Sequence, residues 1–393
     1  MARKGIYPES VTPGIPRLGQ KPEGWVETTF GDVLQVVKRP VQMDNAQEYQ
    51  LVLARRNRGG IVARGTLLGK DILTKTQFFV RAGDFLISKR QIIHGACGVV
   101  PAELDGAIVS NEYITLRTRQ GLLLDYLQYF CHTVFFQQTC FQSSVGVDVE
   151  KMIFDVNAWL RYRVHLPPLP EQRKIVQILG AWDEAIALTE RLIEAKRRRK
   201  KGLMQQLLTG KRRFREFEGQ EVRLRELLDI QYGKSSNGIR SESGQYAIYG
   251  TGGIVGRTNE CLCDQPAIII GRKGTLDQPQ LAEEPFWAID TTFYAIPRVG
   301  VDTLWIYYVL CNLPLERYNE ASGVPSLSRE TLYGIRVSLP CLNEQHRIGI
   351  VLRTCDEEID LFNRKLALLR EQKKGLMQQL LTGRIRVREI TTV

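Results

Sequence analysis

The stretch KKGLMQQLLTG occurs twice in this chain, at residues 200–210 and again at residues 373–383. A constant shift of 173 residues extends the match without a gap, so that residues 166–215 align with residues 339–388. Of these 50 aligned positions, 26 are identical. A repeat of this length is the signature of a duplicated structural unit. The chain is therefore expected to contain two equivalent segments, with unrepeated sequence ahead of each.

Apolar residues recur in both copies at alternating steps of four and three. In the first copy they are Ile175, Leu179, Trp182, Ile186, Ile193, Leu203 and Leu207. In the second they are Ile348, Leu352, Cys355, Ile359, Phe362, Leu366, Leu369, Leu376 and Leu380. A period of 3.5 residues is typical of coiled-coil helices. Each copy therefore predicts a helix of roughly 55 Å at 1.5 Å per residue, which ends at Gly210 or Gly383.

An amphipathic bundle helix is the alternative interpretation of this pattern. Gly202 and Gly375 interrupt the apolar seam, and a glycine inside a helix is a common site of kinking.

The unrepeated segments mix short β-branched runs with glycine and proline turns, which indicates α+β globules in which strands dominate. The expected order is globule, helix, globule, helix, and this connectivity requires the two helices to run antiparallel if they pack on each other. The predicted fold class is thus α+β, with two globular domains separated by two long antiparallel coiled-coil helices and an internal pseudo-two-fold repeat. The predicted boundaries are 1–165 for an N-terminal arm and the first globule, 166–215 for the first helix, 216–338 for the second globule, and 339–393 for the second helix and a C-terminal tail.

Composition limits the class of partner. Lysine and arginine exceed aspartate and glutamate by 11, which favours a polyanion but does not distinguish DNA, RNA and an acidic protein. No run of about 18 apolar residues is present, and residues 1–25 lack the apolar core of a signal peptide. The expected location is the cytoplasm, without a membrane partner. The eight cysteines are expected to be reduced and buried.

Motifs for catalysis or metal binding are not recognisable. The sequence Gly233-Lys234-Ser235 resembles the end of a P-loop, but Leu228 stands where the first glycine is required. The glycines of YGTGGIVG miss the spacing of a dinucleotide-binding loop, and the four histidines have no paired spacing for a metal. We therefore expect no catalytic residue, no metal and no cofactor on this chain.

Cations cluster instead beside glycines and predicted strand ends. The stretches FLISKR at residues 85–90 and IIIGRK at residues 268–273 both read as a buried strand, a small residue and two cations. Arginine can donate two hydrogen bonds to guanine, and lysine can hold phosphates. The candidate DNA-binding residues are Arg55, Arg56, Arg58, Lys70, Lys75, Lys89, Arg90, Lys234, Arg257, Arg272 and Lys273. For any single one of them, a solvated surface charge is an equally good interpretation.

The run KRRRKK at residues 196–201 has no equal in the second copy, which reads LREQKK. Six cations near a helix C-terminus complement the helix dipole. A phosphate contact or a solvated face is expected there, with no role in reading sequence.

The EQxxI helix start, the KKGLMQQLLTG helix end, their duplication, and the turn GRKGT followed by PFWAIDTTF resemble the specificity subunit of type I restriction-modification systems. The resemblance covers nearly the whole chain from about Gly24. It implies that each globule is a target recognition domain that reads one half of a bipartite site in double-stranded DNA. It also implies that the helices set the spacer between the halves.

The same resemblance implies partners and cofactors. Two modification (methyltransferase) subunits would dock on the helices, and restriction/translocase subunits would join the complex. S-adenosylmethionine, ATP and Mg would be held by those partners. The repeated helix ends are the expected docking surface, through Leu203, Gln206, Leu207, Leu376, Gln379 and Leu380.

Two other functions compete with this interpretation. One is a non-catalytic coiled-coil scaffold whose basic globules bind acidic proteins. The other is a self-sufficient nuclease or methyltransferase, which would act without a partner.

Overall fold

The computed structural model describes residues 11–212 and 220–387. The predicted boundary at 215/216 and the beginning of the N-terminal arm lie outside these residues. Contacts divide the chain into two compact units. Unit 1 holds the described residues up to Ile186 and those from Leu368 onward, and unit 2 holds the described residues of Ala187–Ala367. Each unit thus combines one globule with parts of both repeated segments.

Unit 1 contains twelve strands and four short helices in its described residues. The strands are β1 (Val26–Thr29), β2 (Leu34–Val37), β3 (Glu48–Ala54), β4 (Ile61–Leu68), β5 (Gln77–Phe79), β6 (Phe85–Ser88), β7 (Cys97–Val99), β8 (Ile108–Ser110), β9 (Tyr113–Thr118), β10 (Ser144–Val145), β11 (Ile153–Phe154) and β12 (Arg163–Leu166). The helices are α1 (Phe30–Val33), α2 (Leu124–Phe130), α3 (Val134–Gln142) and α4 (Val156–Leu160).

The first long helix, α5 (Leu169–Leu207), leads into unit 2. The strands of unit 2 are β13 (Gln220–Arg223), β14 (Leu228–Tyr232), β15 (Tyr246–Gly250), β16 (Gly253–Thr258), β17 (Ala267–Gly271), β18 (Gln280–Ala282), β19 (Phe286–Ala288), β20 (Thr292–Pro297) and β21 (Arg336–Leu339). Its short helices are α6 (Leu224–Leu227), α7 (Thr303–Asn312) and α8 (Arg329–Gly334). The second long helix is α9 (Leu342–Leu381).

The two globules share one strand plan. Unit 1 has a four-stranded sheet in the order β2-β9-β6-β7, and unit 2 has the matching order β14-β20-β17-β18. A second sheet follows the order β4-β3-β8-β5 in unit 1 and β16-β15-β19 in unit 2. In each second sheet one pair is parallel, β3 with β8 and β15 with β19. The duplication seen in the helical segments therefore extends through the unrepeated sequence.

The apolar runs in the middle of each globule become central strands. All four residues of β6 and all five residues of β17 are buried. Both strands have neighbours on either side, β9 and β7 in unit 1 and β20 and β18 in unit 2. A strand covered on both faces needs a continuous apolar run, because neither face can alternate with polar residues.

The long helices are confirmed. Helix α5 has 39 residues and α9 has 40, and both continue through Gly202 and Gly375, the glycines that interrupt the apolar seam. Past the helix ends, Gly210 and Gly383 adopt φ values of 72° and 68°. This is the left-handed conformation that a glycine provides after a helix C-terminus without a steric penalty.

Helix pairing is antiparallel within each unit. In unit 1, Ile175 near the start of α5 shares a core with Leu380 near the end of α9. In unit 2, Leu207 at the end of α5 shares a core with Ile348 near the start of α9. Each pair matches an early residue of one helix with a late residue of the other. The expected class of two α+β domains with two long antiparallel helices is confirmed.

The cysteines follow the expectation only in part. All eight have free thiols, and Cys97, Cys131, Cys140 and Cys263 are buried. Cys261 and Cys341 are exposed, so the expectation of burial was wrong for these two. Both lie in short segments between elements, Cys261 after β16 and Cys341 just before α9.

Candidate nucleic-acid interface

In unit 2, sheet direction brings two distant strand ends together. Strand β20 pairs antiparallel with β14 on one side and with β17 on the other. Since β14 and β17 consequently run in the same direction, both end at the same edge of the sheet. Tyr232 is the last residue of β14, and Arg272 follows directly after β17. This edge therefore gathers side chains that are 40 residues apart in sequence.

A third segment completes this edge. The Leu327 N–H donates a hydrogen bond to the Arg272 carbonyl over 2.9 Å. Next to it, the backbones of Lys273 and Ser326 form an isolated antiparallel β-bridge. Ser328 then caps α8 by accepting a hydrogen bond from the Thr331 N–H. As a result, Arg329 at the start of α8 lies beside Arg272.

Both arginines approach the ring of Tyr232. The guanidinium carbon of Arg272 lies 5.5 Å from the ring centroid, and that of Arg329 lies 5.2 Å from it. Tyr232 is 45% exposed and packs edge-on against Phe293, with 5.1 Å between the ring centroids. We call Tyr232, Arg272 and Arg329 the arginine–tyrosine cluster. Neither of its arginines pairs with a carboxylate in the described residues.

Lys234 and Lys273 flank this cluster. Lys234 is exposed, and its backbone is fixed by a hydrogen bond from its N–H to the Ala288 carbonyl and by one from Trp287 Nε1 to its own carbonyl. Lys273 is exposed too, and its N–H donates to the Thr291 carbonyl. Three of the predicted residues, Lys234, Arg272 and Lys273, are thus brought to one edge.

Glycine is required at the turn that carries two of these cations. A Cβ atom on Gly271 would lie 1.8 Å from the Thr275 carbonyl oxygen, and Gly274 has a φ of +94°. Neither position tolerates a side chain without displacement of the backbone. The sequence GRKGT therefore encodes a tight turn that presents Arg272 and Lys273.

Arg257, for which contact with DNA stays a prediction, makes hydrogen bonds within its own domain. Its guanidinium donates hydrogen bonds of 2.6 Å to the backbone carbonyls of Gly244 and Gln245. These bonds connect strand β16 to the segment just before β15. The side chain therefore has a local structural role.

The corresponding edge of unit 1 has the same backbone hydrogen bond after its central strand but different side chains. Lys89 follows β6 as Arg272 follows β17, and the Phe154 N–H donates to the Lys89 carbonyl. However, Lys89 Nζ donates to the Asn111 carbonyl over 2.5 Å, and Arg90 Nε donates to Glu112 Oε2 over 2.7 Å. Both predicted cations of this strand exit already have partners within unit 1.

The RRNRGG segment after β3 does not form one cationic surface. Arg55 and Arg56 are exposed, and Arg56 donates to Gln91 Oε1 over 2.7 Å and pairs with Glu150 at 3.2 Å. Arg58 is half-buried with a φ of 58°, and its Nε is buried with no hydrogen-bond partner among the described residues. For Arg58, contact with DNA stays a prediction, and its side chain is the least exposed of the three arginines in this segment.

The positive charge of Arg58 contributes to a lowered pKa of His132. Burial and, to a smaller extent, the positive charges of Arg58 and Lys373 lower the pKa of His132 to about 4. His132 is consequently neutral at pH 7.

Two further predicted cations lie on the turn after β4. Lys70 is exposed. Lys75 Nζ donates to the Gly69 carbonyl over 2.7 Å and therefore closes this turn.

Two of the six cations in the basic run of α5 have partners, and the other four are exposed, as expected for a solvated face. Lys196 Nζ lies 2.7 Å from Glu358 Oε2, and Lys200 Nζ lies 2.5 Å from Asp356 Oδ1. Both lysines also lie over aromatic rings, Lys196 over Phe362 and Lys200 over Tyr308. These two side chains hold the helix pair of unit 2 together.

The apolar residues predicted to dock a partner lie mainly in the cores. Leu207 and Leu380 are 6% and 1% exposed, and Leu203 and Leu376 are partly buried against the same cores. A side chain that already packs within its own unit cannot cover a partner without opening the helix pair. Gln206 is exposed and Gln379 is half-buried, and for these two the docking role stays a prediction.

Sequence reasoning missed Tyr232, Arg329, Leu188 and Leu361. The two leucines occupy equivalent positions of the repeat and are 53% and 59% exposed. Their identity in both copies at an exposed position was a signal available in the alignment of the repeats. No comparable signal existed for Arg329, because only the folded backbone places it beside Arg272.

The described residues contain no group of three or more His, Cys, Asp and Glu side chains that could hold a metal ion. Within the same part of the chain, no helix is both long and apolar enough to cross a membrane.

Comparison with known proteins agrees with this architecture. Residues 22–196 and 217–371 each match the family described as type I restriction modification DNA specificity domain. The type I restriction enzyme MjaVIII specificity subunit of Methanocaldococcus jannaschii is 24% identical, over 94% of this chain and 95% of its own length. The EcoprrI specificity subunit of Escherichia coli is 28% identical over 36% of this chain and 37% of its own length.

Solved structures share the fold. The HsdS subunit from Thermoanaerobacter tengcongensis aligns with a TM-score of 0.54 and 19% identity, over 95% of this chain and all of that one. A chain from a structure on complex assembly and conformational transition of the type I R-M system aligns with a TM-score of 0.62 and 20% identity, over 93% of this chain and all of that one.

Two matched α+β domains on a duplicated helix pair define a DNA specificity protein with two target recognition domains. The chain belongs to the type I restriction modification DNA specificity family and is the specificity subunit of such a system. We refer below to the globules of units 1 and 2 as recognition domains 1 and 2.

Proposed function

We propose that this chain is the non-catalytic sequence reader of a complex that contains two modification subunits. Each recognition domain would read one half of a bipartite site in double-stranded DNA, and the helices would set the spacer. The observation that carries this proposal is the duplication itself, since the strand order of the four-stranded sheet with β6 or β17 and the helix pairing are the same in both units. A chain with two equivalent units offers two equivalent binding sites to one kind of partner.

Leu188 and Leu361 supply the docking chemistry for such a partner. Both side chains are apolar and more than half exposed, and both lie on the long helices at equivalent positions of the repeat. Because the two leucines are related by the repeat, each of the two modification subunits would use one of them for the same kind of contact. This surface replaces the buried helix ends as the proposed docking site.

The proposal leaves the chemistry to the partners. S-adenosylmethionine would be bound by the modification subunits, and restriction/translocase subunits would add ATP- and Mg-dependent steps. The role of this chain would be to bring those active sites to one DNA sequence.

Methylome sequencing tests the proposal. Cells that express this chain together with a modification subunit from the same genome should acquire one split adenine motif, with two short specified halves around an unspecified spacer. Cells that express the modification subunit alone provide the control. The absence of a new motif, together with equal binding to DNA of any sequence, would favour the scaffold function. Methyl transfer or cleavage by the purified chain alone would show a self-sufficient enzyme.

A further inference from the structure

The arginine–tyrosine cluster has a charge arrangement that calls for an anion. Arg272 and Arg329 carry like charges, both lie within 5.5 Å of one ring centroid, and neither pairs with a carboxylate in the described residues. Two like charges on the same ring repel each other, and an anion bound near both weakens this repulsion. The tyrosine ring offsets part of it through cation–π attraction, but it supplies no net negative charge.

The hydrogen-bonding capacity of the cluster is also incompletely used. Arg329 Nε is buried without a hydrogen-bond partner among the described residues. Of the two acids close in sequence to Arg329, Glu330 pairs with Arg225 and Glu320 accepts a hydrogen bond from Thr331. An arginine fork matches phosphate oxygens, and charge-assisted hydrogen bonds to phosphate are among the strong ones.

Unit 1 provides an internal comparison. At the place of Tyr232 and Arg329, recognition domain 1 has Lys38 and Val156, because β2 matches β14 and α4 matches α8. Lys89, at the place of Arg272, donates to the Asn111 carbonyl. The edge of recognition domain 1 thus has neither the aromatic ring nor the second guanidinium.

We propose that the arginine–tyrosine cluster of recognition domain 2 is a binding site for a backbone phosphate of the target DNA. The inference rests on the proposed DNA-reading function and adds a specific ligand and specific residues to it. Arg272 and Arg329 hold the phosphate oxygens, and the ring of Tyr232 keeps the two guanidinium groups in place. Since recognition domain 1 lacks the cluster, recognition domain 2 contributes more of the salt-dependent affinity.

The test measures binding of the full-length chain to a labelled duplex of random sequence at several salt concentrations. Arg272→Gln and Arg329→Gln should each weaken binding and reduce the slope of log affinity against log salt by up to about 0.9, the contribution of one phosphate contact. Tyr232→Phe keeps the ring and should bind like the unchanged chain, whereas Tyr232→Ala should weaken binding. Arg336→Gln is the matched control, because it removes the same charge from the same domain at a site where Arg336 pairs with Glu221.

Unchanged slopes for both arginine variants, with folding confirmed by circular dichroism, would overturn the proposal. A loss limited to one base position of the methylated motif would overturn it as well, because it would make the cluster a base reader. If Arg329→Gln fails to fold, the result for Arg272→Gln decides. Failure of the unchanged chain to bind duplex DNA would refute the proposed DNA-reading function itself, which is a different outcome.

Discussion

Lys200, the first residue of the repeated stretch KKGLMQQLLTG, donates a hydrogen bond to Asp356 Oδ1 over 2.5 Å. The other oxygen of Asp356 accepts a hydrogen bond from the Tyr308 hydroxyl over 2.7 Å, and the Lys200 ammonium lies 5.1 Å from the Tyr308 ring centroid. One lysine therefore joins α5, α9 and α7 of unit 2. Burial and the hydrogen bond to Asp356 raise the pKa of Tyr308, so its hydroxyl remains a donor at neutral pH.

Unit 1 contains the same arrangement, made by the second copy of the stretch. Lys373 pairs with Asp183, the Tyr129 hydroxyl donates to Asp183 over 2.8 Å, and the Lys373 ammonium lies 5.3 Å from the Tyr129 ring centroid. Lys373 and Asp183 are the repeat equivalents of Lys200 and Asp356. The duplicated sequence thus encodes a duplicated contact, in which a lysine in the second half of one long helix pairs with an aspartate in the first half of the other.

Removal of the Lys200–Asp356 contact is expected to lower the stability of unit 2. Lys200→Met should reduce the free energy of unfolding by about 1 kcal/mol, since the pair is partly exposed and has an additional aromatic contact. Lys201→Met is the matched control, because Lys201 is exposed, and it should change the free energy by less than about 0.5 kcal/mol. Urea unfolding of both variants measures the difference. Equal effects of the two substitutions would show that the contact contributes nothing beyond general charge.

The helices and the central strands were predictable from the sequence because their signals are local and repeated. A 3.5-residue period sustained over one segment fixes a helix, and the continuous apolar runs in β6 and β17 fix buried strands. Side-chain direction was not predictable in the same way. Arg58 looks like a surface cation in RRNRGG, but its backbone enters the left-handed region and its side chain turns inward.

Contacts between residues far apart in sequence were a second feature that could not be predicted. Arg329 lies 57 residues after Arg272, and the hydrogen bond from the Leu327 N–H to the Arg272 carbonyl brings the two together. The burial of the leucines at the helix ends was a third feature that could not be predicted. A heptad pattern cannot tell whether Leu207 covers its own core or a partner, because both uses require the same apolar side chain.

Substitution of an exposed and of a buried helix leucine is expected to distinguish an effect on assembly from an effect on folding. Leu361→Ala should leave the free energy of unfolding within about 0.5 kcal/mol, because the side chain is 59% exposed, yet it should weaken co-purification with a modification subunit. Leu207→Ala should instead lower the free energy of unfolding by about 2 to 5 kcal/mol through loss of core packing. Chemical unfolding and pull-down of each variant provide the two measurements. An unstable Leu361→Ala chain would remove the support for this docking surface.

Acid should destabilise unit 1 through His132. The folded pKa of about 4 lies below the ordinary value of 6.5, so the folded state binds fewer protons than the unfolded state between these values. Stability is therefore expected to be fully present above pH 6.5 and to fall as the pH decreases toward 4, by up to about 3 kcal/mol. His132→Gln should flatten this dependence in urea unfolding at pH 7 and pH 4.5. His346→Gln, a change at an exposed histidine of unit 2, should leave it in place.

The length of the helices is expected to set the spacing between the recognised DNA halves. Insertion of one heptad into both α5 and α9, between the two lysine–aspartate contacts, keeps each apolar seam in register and adds about 10 Å at 1.5 Å per residue. Because one base pair rises about 3.4 Å along each strand of the duplex, the spacer in the methylated motif should lengthen by about three base pairs. The specified bases of both halves should stay the same, since the insertion leaves both recognition domains unaltered. Methylome sequencing of cells that carry the lengthened chain and a modification subunit measures both quantities. An unchanged spacer in an active complex would mean that the helices do not act as the ruler.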